Sequence, residues 1–206
     1  MDACFYWQYH ILVFLTDQHA MSRENNKALL VMDMQVAVLV GLPDTMTLLR
    51  NTAAAIAHAR ATGIQIVFVK VGFRPGAPEI HSNNKIFGGN KDRYAHPNLE
   101  ELMKIHPDIE PLADDIIIVK KRVSAFSGSD LEIVLRSLHI EQLVLTGVST
   151  SGVVLSTLRE AADKDYLITV LADCCADRDP EVQKVLTEKV FLMQAEVLNL
   201  AAWLGH

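Results

Sequence analysis

Disulfides, basic clusters and membrane-spanning runs are all scarce or missing from this chain. Its three cysteines, Cys4, Cys174 and Cys175, are odd in number with two adjacent, so they form neither a disulfide framework nor a C-x-x-C metal or redox pair. A reducing, cytoplasmic setting is the expectation. Lys and Arg number 19 against 25 Asp and Glu, a net charge of −6. Without a basic run to displace counterions, nucleic acid and anionic membrane are excluded as main partners. The aromatic and apolar stretch Phe5–Leu15 is too short to span a bilayer and has no Lys or Arg before it. An interfacial anchor is the one membrane role it leaves open. No GxGxxG follows the first apolar run, Gly88–Gly89 lack the Lys-Ser/Thr of a phosphate loop, and no HExxH occurs.

What remains is a chain with 50% apolar residues in 206, enough for one domain with a full core. Residues 1–26 read as an extension ending in a polar linker, with Met21 an alternative start, and residues 27–206 as the domain. Apolar runs at Ala28–Met32, Ile64–Val71, Asp115–Lys120, Gln142–Val148 and Leu167–Ala172, with a sixth at Ala195–Leu200, are nearly continuous. Such runs mark strands covered on both faces. Helical patterns lie between them at Asp44–Thr62, Asn98–Ile105, Ser129–Leu138, Gly152–Lys164 and Pro180–Phe191, with Asp44, Ser129 or Asp130, and Asp179 as caps. The series predicts an α/β fold: three α-β-α layers around a mostly parallel, roughly six-stranded central sheet.

In such sheets ligands sit beyond the carboxyl ends of the strands. Asp33 ends the first run and Lys120 the third. The fourth passes at Gly147 into the Ser/Thr-rich elbow of LVLTGVSTSGVVLST, Leu143 to Thr157, which opens a helix. An acid, a base and a turn with free helix N-terminal N–H groups thus converge on one edge. At the elbow position where a nucleophile belongs stands Val153, which has no lone pair.

These residues resemble the isochorismatase-like hydrolases, which include nicotinamidases and related cysteine amidohydrolases. The resemblance runs from about Ala28 to Leu200. It rests on ALLVMDMQ around Asp33, on K-x-x-x-S-A-F at Lys120–Phe126 with Gly128 and Leu131, and on G-V-S-T-x-x-x-V-x-S-T at Gly147–Thr157. It implies that Asp33 is a general acid or base, that Lys120 stabilises charge beside it, and that Val153 replaces the attacking cysteine. It also implies a cis peptide between Val148 and Ser149, and an oxyanion hole built from the Ser149 and Val153 N–H groups. Gln35, Phe73, Arg74, Arg122, Phe126 and Thr150 complete the candidate substrate-binding set, with Arg74 or Arg122 as a carboxylate partner.

Nicotinamidases carry an Asp and two His after strand two. Here residues 71–89 offer only His81, with Glu79 two positions earlier. Neither a catalytic metal nor a cofactor is expected. Three functions follow. The first is a small-molecule hydrolase using Asp33 and Lys120 without a covalent intermediate, as in true isochorismatases, which also lack the cysteine and cleave a vinyl ether. The second is a non-catalytic binding or assembly module, and the third a cysteine amidohydrolase with Cys174 or Cys175 displaced. A small-molecule substrate and a homo-oligomer are expected.

Overall fold

The computed structural model describes residues 26–95 and 98–205; Cys4 and the Phe5–Leu15 stretch lie outside the described residues. Six strands form one sheet: β1 Lys27–Met32, β2 Gln65–Val71, β3 Ile116–Lys120, β4 Gln142–Val148, β5 Leu167–Ala176 and β6 Glu196–Leu198. Their order is β3-β2-β1-β4-β5-β6, and every pairing is parallel. The runs of β1, β2 and β4 are continuous because alternate residues of each enter two separate cores, whereas on β3 Ile117 and Val119 are exposed. Leu29, Val31, Phe68 and Val144 pack on one face with Leu48, Leu49, Ala55 and Ile56 of a long helix. Leu30, Met32, Val67 and Leu145 pack on the other with Leu131, Leu135, Val154 and Leu158.

The helices are α1 Val36–Leu39, α2 Thr45–Ala61, α3 Leu99–Leu102, α4 Leu131–Ser137, α5 Leu155–Ala162, α6 Pro180–Val185 and α7 Leu200–Leu204. Asp44 caps α2 by accepting from Thr47 N at 3.1 Å, and Asp179 caps α6 by accepting from Glu181 N at 2.9 Å. At α4 the cap is Ser129, whose Oγ accepts from Leu131 N, while the Asp130 side chain makes no capping bond. None of the helices is long and apolar enough to cross a membrane among the described residues.

Several boundaries differ from the expectation. The helix predicted over Gly152–Lys164 begins earlier, as a π-helical turn at Thr150–Val154 that leads into α5. That predicted over Asn98–Ile105 is the single turn α3. The sixth run divides, because Asn199 accepts from Ala202 N at 2.8 Å and starts α7 directly after β6. β5 continues four residues past Ala172, through an irregularity in its pairing with β4 that brings Gly147 opposite Cys175.

Chain order reverses between β1 and β4, which makes their carboxyl ends the switch point where open α/β sheets bind ligands. Gly147 pairs with Met32 there, and a side chain at 147 would meet the Met32 carbonyl at 2.7 Å. The two strands approach closely because residue 147 has no Cβ.

Candidate active site

Asp33 directly follows β1 with φ 55°, a left-handed conformation that Asp tolerates better than most residues. Its N–H donates to Val69 O at 2.8 Å, so the chain turns out of the sheet while still tied to β2. The side chain is 10% exposed, and its Oδ2 lies 2.8 Å from Lys120 Nζ. Oδ1 is buried without a hydrogen-bond partner. Burial pushes the carboxyl up from 3.8 to about 6, against the opposing pull of Lys120 and the Val71 N–H. A carboxyl poised near neutrality gives and takes protons efficiently.

Lys120 is 1% exposed, and its ammonium also donates to Arg122 O at 2.9 Å and Val123 O at 3.0 Å. It reaches Asp33 from two strands away, since β2 separates β3 from β1. The expectation that the pair would meet holds.

The elbow completes the arrangement. The peptide between Val148 and Ser149 is cis, and the chain then enters the π-helical turn. Ser151 N donates to Asp177 Oδ2 at 2.8 Å, which anchors the turn to the loop after β5. Asp33, Lys120, Val148, Ser149 and Val153 together line a cavity of about 460 Å³ at the switch point. Its remaining wall is largely apolar, with Ile86, Phe87, Tyr94, Leu99 and Met103 from the segment between β2 and β3. Val153, 2% exposed, faces both this cavity and the core.

An isochorismatase domain model matches residues 27–202, from the start of β1 into the last helix. The chain belongs to the isochorismatase family. Ureidoacrylate amidohydrolase RutB of Pseudomonas syringae pv. syringae (strain B728a) is 31% identical over 204 residues, covering 86% of this chain and 78% of that protein. Among solved structures, an isochorismatase family protein from Burkholderia thailandensis superposes with a TM-score of 0.76 at 26% identity, covering 88% of this chain and 96% of that one. N-carbamoylsarcosine amidase from Thermoplasma acidophilum gives 0.68 at 26% identity, covering 84% and 96%.

Within this isochorismatase-family site, several residues expected to bind substrate are occupied elsewhere. Gln35 is fully buried and does not line the cavity: its Nε2 donates to Val71 O and Met103 O, and its Oε1 accepts from Val71 N. It pins the end of β2 to the segment carrying α3. Thr150 is also fully buried, donating to Gln183 Oε1 at 2.5 Å. Phe126 turns into the core and stacks on Tyr166 at 6.1 Å. Arg122 bonds Lys121 O and Glu79 O, and Arg74 pairs with Glu79 at 2.7 Å, so neither guanidinium reaches the cavity. Phe73 and Arg74 line an adjoining space of about 560 Å³ beyond Tyr94 and Met103. His81 is exposed and accepts from Asn83 N.

Cys174 and Cys175 stand within β5 rather than after it. Their side chains enter opposite cores, Cys174 the one that includes Trp203 and Cys175 the one that includes Phe191. Burial pushes both thiols up, Cys175 to about 12, and neither lines the cavity. A displaced nucleophile is therefore not placed where it could attack. Arg178 does line the cavity, at its rim, with Nη2 donating to Val40 O at 3.1 Å. It was not singled out from the sequence. The signal was the rule that found Asp33, a polar residue just past a strand end, obscured because the fifth apolar run stops four residues before β5 does.

Proposed function

We propose that this chain is a small-molecule hydrolase in which Asp33 transfers protons directly, Lys120 holds its carboxylate, and no covalent intermediate forms. The observation that carries the reading is the buried Asp33 carboxyl, raised to about 6 and paired with Lys120 in the cavity wall. On the sequence resemblance, Val153 takes the position of an attacking cysteine, and a side chain without a lone pair leaves proton transfer as the available chemistry. In its protonated form Asp33 delivers a proton to the terminal carbon of an enol ether. Water adds to the resulting oxocarbenium ion and returns a proton to the Asp33 carboxylate. The hemiketal then collapses with loss of the alcohol. We assign Arg178 to a carboxylate of the substrate.

A second reading rests on the relatives. Ureidoacrylate amidohydrolase and N-carbamoylsarcosine amidase are both named for C–N cleavage. On such a substrate the Asp33 carboxylate acts as a base on the attacking water. Turnover assays on enol ethers and on ureido and carbamoyl amides, run against Asp33→Asn, test both. An acid role gives a kcat/KM that falls as pH rises through about 6, and a base role gives the reverse. Absence of turnover on either class, with ligands still binding in the cavity, overturns both in favour of a non-catalytic binding module.

A further inference from the structure

The Lys120 ammonium has three N–H donors, and each finds an acceptor: Asp33 Oδ2 at 2.8 Å, Arg122 O at 2.9 Å and Val123 O at 3.0 Å. Two of the three are backbone carbonyls in the loop that leaves the sheet after β3. That loop belongs to no strand or helix, so its carbonyls aim at Lys120 only as far as other contacts hold it. Gly128, at φ 72°, turns it back against Lys121, where a side chain at 128 would meet the Lys121 Cβ at 2.9 Å. Ser124 Oγ donates to Glu160 Oε2 at 2.6 Å and accepts from Phe126 N. One residue on, Ala125 N donates to Thr157 Oγ1 at 2.9 Å. Thr157 and Glu160 both lie on α5, the helix that the elbow opens.

We infer that Ser124 and Glu160 are positioning residues of the Asp33–Lys120 pair: their hydrogen bond clamps the loop to α5 and so holds the two carbonyls that seat the ammonium. The inference rests on the proposed role of that pair. A carboxylate acceptor makes the clamp a charge-assisted bond, roughly twice as strong as a neutral one. The helix into which the Val153 turn leads thereby also fixes the loop that orients Lys120, and the elbow and the acid–base pair share one support. The charged groups in contact are few. Lys120 acts on Asp33, and Lys164, just past the end of α5, pairs with Glu132 at 2.7 Å and acts more weakly with Glu160.

The test is a pH titration of the Asp33 carboxyl by NMR with 13C-labelled aspartate, assigned through Asp33→Asn. It reads the pair without any substrate. Ser124→Ala and Glu160→Ala are expected to raise the Asp33 midpoint by about half a unit or more as Lys120 moves away, because a contacting cation depresses a carboxyl by about 1–3 units. Glu160→Gln still accepts from Ser124 Oγ and is expected to restore most of the wild-type value. An unmoved midpoint in a folded Ala variant overturns the inference, as does an equal shift in the Gln and Ala variants. Glu160 is half-buried on α5, so its variants carry the test where Ser124→Ala does not fold. A shifted midpoint in a protein without turnover keeps the clamp and rejects the proposed function. Turnover with an unmoved midpoint does the opposite.

Discussion

Lys120 and Asp33 meet at 2.8 Å although a whole strand, β2, lies between the strands that carry them. Two strand spacings come to about 9.5 Å, a span that the four-carbon lysine stem and the short aspartate arm cover together. The demand is for length and for a compact cation with donors on all sides.

Asp33→Asn and Lys120→Met are each expected to lower turnover by about a hundredfold or more, the scale of a positioned proton-transfer group. Lys120→Arg should fail to restore it, because a planar guanidinium cannot seat three acceptors gathered around one nitrogen. Steady-state rates on the best substrate of the two panels decide this, and wild-type rates in Asp33→Asn reject the assignment.

Stability should depend on pH through Asp33. Its folded-state value, about 6, lies above the ordinary 3.8, so between these two the native state keeps a proton that the unfolded chain has released. Native stability therefore falls as pH rises from about 4 to about 6 and then levels, by a total on the order of 3 kcal/mol. Urea midpoints across this range, compared between wild type and Asp33→Asn, should diverge in that window alone. Parallel curves would remove the buried carboxylate from the account.

Val153→Cys places a thiol in the first helical turn of the elbow, in the cavity that also holds the Lys120 ammonium. Both surroundings lower a thiol pKa. In a Cys4→Ser background, iodoacetamide at neutral pH should label residue 153 before Cys174 or Cys175, whose buried thiols are pushed up. The exchange should cost roughly 1 kcal/mol. Peptide mass mapping reads the order, and a folded variant with an inert residue 153 would show that the elbow does not activate a nucleophile.

Gln35→Ala removes three hydrogen bonds from a fully buried site and leaves Val71 N and two carbonyls unpaired. Unsatisfied buried groups cost about 1–3 kcal/mol each, so a loss of about 2 kcal/mol or more is expected in a urea melt. A change below about 0.5 kcal/mol, the size typical of surface substitutions, would mean that water replaces the side chain.

Much of the architecture was legible because β1, β2 and β4 are buried on both faces, which compels unbroken apolar runs such as Ala28–Met32. Asp33 and Lys120 were legible because each ends such a run. The end of β5 was not, since Asp173 breaks the apolar pattern while the backbone continues to pair, and this hid Arg178. α1, with four residues and no side-chain cap, gave no periodic signal. Side-chain direction was the larger gap. Gln35, Thr150 and Phe126 follow strands or motifs in the expected places, yet Gln35 turns to backbone partners and Thr150 to the Gln183 side chain, because a buried amide or hydroxyl must find partners wherever the fold offers them, and Phe126 turns into the core.

The cavity has two kinds of boundary. Its floor consists of strand ends and an elbow whose spacing is fixed by the closeness of Gly147 to Met32, whereas the wall from Ile86 to Met103 rests on a 3-10 turn and a single helical turn, with Ile86 59% exposed. Substitutions in the floor disturb the sheet itself. Substitutions at exposed wall positions such as Ile86, unlike the buried Phe87, reshape the entrance at little expense to folding, since surface segments tolerate change that strands do not. Selectivity can therefore diverge among descendants of this chain while its chemistry stays fixed, and directed evolution toward new substrates would concentrate its accepted changes between β2 and β3.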